Sequence, residues 1–167
     1  MRVRIILATL LALLLSACGF QLRGSYSLPF DTLYIALPTS TELHAVLKRN
    51  ILAATQTRIV DDSQSAQATL AITSDRQVKD ILSLNSAGRV REFQLVRTVS
   101  FRVHDAANRD LIPPGQIVLR RDISFSDAQV LSKEAEEGLL WRDIQDDLVQ
   151  QLLRRLAAAR PKPAEEQ

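Results

Sequence analysis

Cysteine is all but absent from this chain, with Cys18 alone among 167 residues. No internal disulfide is available, and no thiolate pair for a metal. Histidine is nearly as scarce, and His44 and His104 are the whole supply. His44 adjoins the apolar Leu43 of a helical pattern, and His104 falls on the polar side of a strand pattern. Both read as surface residues rather than general bases. The glycines at 19, 24, 88, 115 and 138 make no phosphate-cradling loop, and no nucleophile elbow occurs. Asp61-Asp62 and Asp146-Asp147 are adjacent pairs that fit a turn and a solvated helix face. No metal-ligand spacing appears. These gaps argue against an enzyme, a metal and a cofactor. Beyond Leu22 no apolar run is long enough to cross a bilayer as a helix.

What is present begins with Arg2, Arg4 and an apolar run over 5–15, the charged and hydrophobic regions of a secretory signal. Leu15-Ser16-Ala17-Cys18 follows and resembles the bacterial lipobox. The resemblance implies cleavage before Cys18, an S-diacylglycerol on its sulfur and an N-acyl chain on the new amino group. The alternative is an ordinary cleaved signal that carries a cysteine by chance. A buried lipid methylene contributes about 0.8 kcal/mol and one acyl chain anchors weakly, whereas three chains hold. Gly19, where Asp would signal inner-membrane retention, implies the outer membrane, on its periplasmic side. The chain then divides into a signal peptide at 1–17, a single domain at 18–160 and a disordered tail at 161–167.

The whole sequence has 21 Lys+Arg against 19 Asp+Glu. Loss of Arg2 and Arg4 with the signal leaves the two signs balanced. Nucleic-acid binding by bulk charge is thereby disfavoured, and any anion site has to be a local cluster. The basic residues are mostly arginine, suited to forked contact with phosphate or carboxylate.

Hydrophobic periodicity predicts a strand over 32–37 and, after Pro38, a helix over 41–55. Thr39 and Glu42 have the spacing of a capping box for that helix. A short strand over 57–60 and a polar turn over 61–66 follow. A further strand starts at about 67, and either ends near 74–76 or continues to Leu84 with a change of face there. Asn85-Ser86-Ala87-Gly88 is a turn cluster. Residues 89–105 give the longest strand predicted, with Phe93, Leu95, Val99, Phe101 and Val103 on one face and Thr98, Ser100, Arg102 and His104 on the other. Arg97 interrupts the apolar face and marks a bulge, an edge or a shifted register. Pro113-Pro114-Gly115 reads as a loop before a last strand through Ile117, Leu119, Ile123 and Phe125, where Arg121 sits on the apolar side. After one possible helical turn over 126–131, a long amphipathic helix runs from about 132 to 158. Its stripe is Leu140, Ile144, Leu148, Leu152 and Leu156, and Trp141 widens it into the core. The predicted fold is α+β, a two-layer sandwich with two helices on one face of a mostly antiparallel, mixed sheet of about four strands.

One basic constellation stands out. Arg89 and Arg91 follow the hairpin turn, and Lys133 opens the last helix. They are either solvated charge at element ends or an anion site.

The start Cys18-Gly19-Phe20-Gln21-Leu22-Arg23-Gly24 resembles that of the LPS-assembly lipoprotein family, LptE. So do the hairpin ending in Glu92-Phe93-Gln94, Lys133 with the acidic residues after it, and the Leu152-Leu153-Arg154-Arg155-Leu156 helix end. The resemblance implies a small α/β sandwich seated as a plug in the outer-membrane β-barrel LptD of Gram-negative bacteria. It also implies help with barrel assembly, and lipopolysaccharide binding through basic residues during delivery to the outer leaflet. Lys133 matches one of those binding positions. The hairpin position does not match, since Asn85-Ser86 occupies the turn and the arginines stand at 89 and 91. The competing expectation is a stand-alone lipid-binding or transport-accessory lipoprotein without a barrel partner.

Overall fold

A computed structural model of the chain describes residues 27–126 and 129–159. The signal peptide, Cys18 and the 161–167 tail lie outside the described residues. The elements are β1 (Thr32–Ala36), α1 (Glu42–Ala54), β2 (Arg58–Val60), a 3-10 turn at Ser63–Ser65, β3 (Ala68–Leu84), β4 (Val90–His104), β5 (Asp110–Ser124) and α2 (Val130–Ala157). They form one five-stranded sheet in the order β2-β1-β3-β4-β5. The β1 pairings with β2 and β3 are parallel, and β3-β4-β5 is an antiparallel meander. The α+β sandwich class of the sequence reading holds, and its fifth strand is the three-residue β2 at one edge.

Period-two alternation along β4 explains the two faces. Leu95, Val99, Phe101 and Val103 are buried toward the helices. Thr98, Ser100, Arg102 and His104 alternate with them on the face that neither described helix covers. Ile144, Leu148, Leu152 and Leu156 of α2 are fully buried against the sheet, and Leu43, Leu47 and Ile51 of α1 complete the layer. Each such side chain contributes about 1.5–3 kcal/mol by leaving water.

Several elements differ from the sequence reading, each for a local reason. β3, not β4, is the longest strand at 17 residues, because bulges near Thr73 and Leu82 let it turn its face without breaking the ladder. Pro113, Pro114 and Gly115 are not a loop but part of β5. The ladder steps from Phe101–Gly115 to Val103–Ile112, so β5 carries an extra residue there. β5 is an edge strand, and proline is tolerated at edges and bulges. Gly115 leaves room for Arg155, whose guanidinium carbon lies 5.3 Å from the Phe101 ring centroid and whose Nη2 donates to Gln116 O at 3.2 Å.

The cap of α1 is Thr41 rather than Thr39. Its Oγ1 accepts from the His44 amide at 3.3 Å and donates to Pro38 O at 2.8 Å. His44 is buried, not on the surface, because it shares a helical face with Leu47 and Ile51. His104 is half-buried on the uncovered face. In the β4–β5 turn Asn108 takes φ 62°, and the Arg109 amide donates to the Asp105 carboxylate at 2.9 Å. That bond, with those from the Arg109 side chain, holds the Asp105 carboxyl below its usual value.

Leu148→Ala should cost about 2–5 kcal/mol in a urea denaturation curve, since Leu148 is wholly buried. Gly138 lies ten residues earlier in the same helix with open space at its Cβ. Gly138→Ala should instead raise stability by about 0.4–1 kcal/mol. A neutral Leu148→Ala would contradict the assigned face.

Candidate functional site

The β3–β4 turn, the end of β5 and the start of α2 come together at one end of the sheet. Asn85 closes the turn. Its amide donates to Arg89 O at 2.8 Å, and its Oδ1 accepts from the Ala87 and Arg89 amides, each at 3.0 Å. Gly88 takes φ 73°, which glycine adopts without a steric penalty. The Phe125 amide donates to Arg91 O at 2.8 Å and extends the ladder one residue past β5. The Phe93 and Phe125 rings then meet edge to face, with centroids 5.5 Å apart.

These rings line a cavity of about 90 Å³ with Ile123, Ser124, Val130, Glu134, Glu137, Lys79 and Lys133. Lys79 Nζ stands 4.4 Å from the Phe93 ring centroid and 2.6 Å from Glu137 Oε2. Lys133 Nζ donates to Glu136 Oε2 at 2.8 Å and to Ser124 Oγ at 2.9 Å. Trp141 is half-buried on this helix, its Nε1 donating to Glu137 Oε1 at 3.4 Å. Ile81, Leu82, Leu84, Val130 and Leu131, on the flanking ends of β3 and α2, remain exposed.

Of the three cations singled out in the sequence, Lys133 lines the cavity and Arg91 lies beside it through the Phe125 bond. Arg89 sits further out, at the turn. Lys79 was missed. Its place opposite Leu95 depends on the bulges of the outer hairpin, which periodicity does not locate.

Arg97 and Arg121 have their own partners. Arg97 is buried at 3 % exposure. Its Nε and Nη2 donate to the two Asp75 carboxylate oxygens at 3.0 and 2.7 Å, and its Nη1 to Gln145 Oε1 at 3.2 Å. Gln145 in turn donates to Glu42 Oε1 at 3.0 Å. The sequence register was therefore right, and the interruption is a buried polar tie. Arg121 is partly exposed and donates to Asp143 at 2.7 Å and Asp147 at 3.3 Å on α2. The hydrogen bond to Asp143 raises the Arg121 pKa further.

Among the described residues no group of three His, Cys, Asp or Glu is placed to hold a metal. No helix among them is long and apolar enough to cross a membrane.

Residues 30–156 match the model of the LptE family, described as lipopolysaccharide-assembly. The chain belongs to the LptE family. An LPS-assembly lipoprotein LptE from Pectobacterium atrosepticum is 29% identical over 152 residues, covering 87% of this chain and 80% of that protein. One from Yersinia enterocolitica is 30% identical over 175 residues, covering 99% and 82%. Among solved structures, the solution structure of an uncharacterized lipoprotein B from Nitrosomonas europaea superposes with a TM-score of 0.74 at 42% identity. It covers 84% of this chain and 91% of its own. The crystal structure of the rare lipoprotein B from Shewanella oneidensis gives 0.64 at 25% identity, covering 77% and 95%. The chain is thus an LptE-family lipoprotein of lipopolysaccharide assembly.

Within the matched segment the two arginines should behave differently. Asp75→Asn leaves a buried guanidinium without its counter-charge and should cost about 1.5–3 kcal/mol. Asp143→Asn, at a partly exposed pair, should cost no more than about 1 kcal/mol. Equal shifts in denaturation midpoint would contradict the assignment of Arg97 as the structural tie.

Proposed function

We propose that the chain is an outer-membrane lipoprotein, anchored on the periplasmic side through lipid on Cys18. It sits as a plug in the β-barrel LptD, helps that barrel assemble, and binds lipopolysaccharide during its delivery to the outer leaflet. It works by binding rather than catalysis and uses no cofactor beyond the covalent lipid. The observation that carries this reading is the family match over 30–156, which takes in Arg89, Arg91 and Lys133.

Two features of the fold support it. The helices cover one face of the sheet and leave the other to Thr98, Ser100, Arg102 and His104. Arg102 is neutralised by Asp110 at 2.7 Å, so that face is polar without strong net charge, in keeping with a polar barrel lumen. Arg91 and Lys133 also stand at one end, close to exposed aliphatic side chains, which suits a ligand with phosphates and acyl chains.

The partner is tested by mild-detergent extraction of the acylated chain and identification of what comes with it. The proposal expects a large barrel in near-equal amount. The chain alone would support the stand-alone accessory reading instead. In the same preparations Cys18→Ser should abolish fatty-acid labelling. Arg91→Gln/Lys133→Gln should weaken lipopolysaccharide binding by the mature chain, and the wild-type affinity should fall as screening shortens from about 10 Å at 0.1 M salt to about 3 Å at 1 M. Unchanged binding by a folded double variant would remove these residues from the site.

A further inference from the structure

The cavity between β3, β5 and α2 contains a second lysine, and each of its lysines already has a carboxylate. We propose that Lys79 and Lys133 form one phosphate-binding subsite, kept in reserve by Glu137 and Glu136, and that a phosphate ester displaces those carboxylates when it binds. The inference rests on the lipopolysaccharide-binding reading above and adds to it a ligand group, Lys79, and a means of regulation.

The two lysines reach the cavity from different layers, Lys79 from the sheet and Lys133 from the helix. Phe93 lies beneath Lys79 at cation–π distance, so the ammonium is held at the wall while its stem covers the ring. Ser124 Oγ accepts from Lys133 at 2.9 Å and carries a proton of its own for an incoming oxygen. The glutamates divide the cations between them, Glu137 serving Lys79 and Glu136 serving Lys133. A phosphate presents enough acceptor oxygens to serve both lysines and the hydroxyl together.

At Lys133 the exposures favour exchange, whereas at Lys79 they run the other way, the lysine being 37% exposed and Glu137 24%. The Lys133 side chain is 17% exposed and that of Glu136 is 46% exposed. Glu136 has water to move into, while Lys133 stays where it is. Pairs of this kind are weak, so an incoming dianion competes with them readily. With Glu134 beside them, three carboxylates surround two ammonium groups, and the resting cavity carries no excess positive charge. Removing a glutamate should therefore tighten binding, a sign opposite to the loss of an ordinary structural pair.

The test is lipopolysaccharide binding by the mature chain, with circular dichroism to verify folding. Glu136→Gln and Glu137→Gln should each tighten binding about two- to fivefold. Asp146→Asn removes the same charge from an exposed position outside the cavity and should have little effect. Lys79→Gln should weaken binding at least as much as Lys133→Gln, and Lys79→Arg should restore most of it. Inorganic phosphate should compete, and with dephosphorylated lipopolysaccharide the variants should converge. Glutamate variants that match Asp146→Asn, a Lys79→Gln that binds like wild type, or a persistent ranking on the dephosphorylated probe would overturn the subsite while leaving lipopolysaccharide binding in place. A wild-type chain that binds no lipopolysaccharide would overturn both.

Discussion

A buried guanidinium sets the geometry of the covered face. Arg97 lies among Leu95, Val99 and the helices, so its donors must find acceptors inside the fold. Asp75 on the neighbouring strand takes two of them, and Gln145 on α2 takes a third. Gln145 then holds Glu42 at the start of α1. One polar line thus runs from β3 through β4 and α2 to α1. A slip of either central strand by one residue would turn Arg97 or Asp75 to the opposite face and leave a charge unmatched. The apolar contacts around it provide most of the stabilisation but are far less particular about register.

With α2 held at Gln145, its two halves take different roles. From Ile144 onward the apolar stripe is buried against the sheet. Before Ile144 the helix runs along the end of β5, where Phe93, Ile123 and Phe125 line the cavity beside it. A helix of 28 residues is about 42 Å long. That length carries Lys133, Glu136 and Glu137 to the end where Arg91 emerges from the hairpin. The exposed Leu131 and Leu139 belong to the same outlying half. Cations, counter-ions and unburied aliphatic groups therefore collect where the core runs out, and this is the end to which we assign lipopolysaccharide.

Periodicity carried most of this architecture, because a helix or strand with one buried face writes that face into its residue types. The stripe from Leu140 to Leu156 and the alternation from Phe93 to Val103 are of this kind. The misreadings fall where a second interaction overrides the pattern. Pro113 and Pro114 resemble a loop until the edge position of β5 and its bulge are known. His44 resembles a surface residue until its face is shared with Leu47 and Ile51. Lys79 carried no local signal, since its neighbours across the hairpin depend on where the bulges fall. Lys133 was singled out in the sequence as one of three cations at element ends, and the family resemblance alone matched it to a binding position. Nothing in its own context told an anion ligand from a helix lysine paired three residues on with Glu136.

The central claim is that the end of the molecule formed by the β3–β4 hairpin, the end of β5 and the start of α2 receives the phosphorylated lipid. Backbone amide shifts of the isotope-labelled mature chain, followed by NMR while lipopolysaccharide is added, test this most directly. The account predicts that the perturbed amides cluster at 79–93 and 123–141, and that β1, β2 and α1 stay unchanged. Perturbations centred on β1, β2 and α1, or spread evenly over the uncovered sheet face, would contradict it.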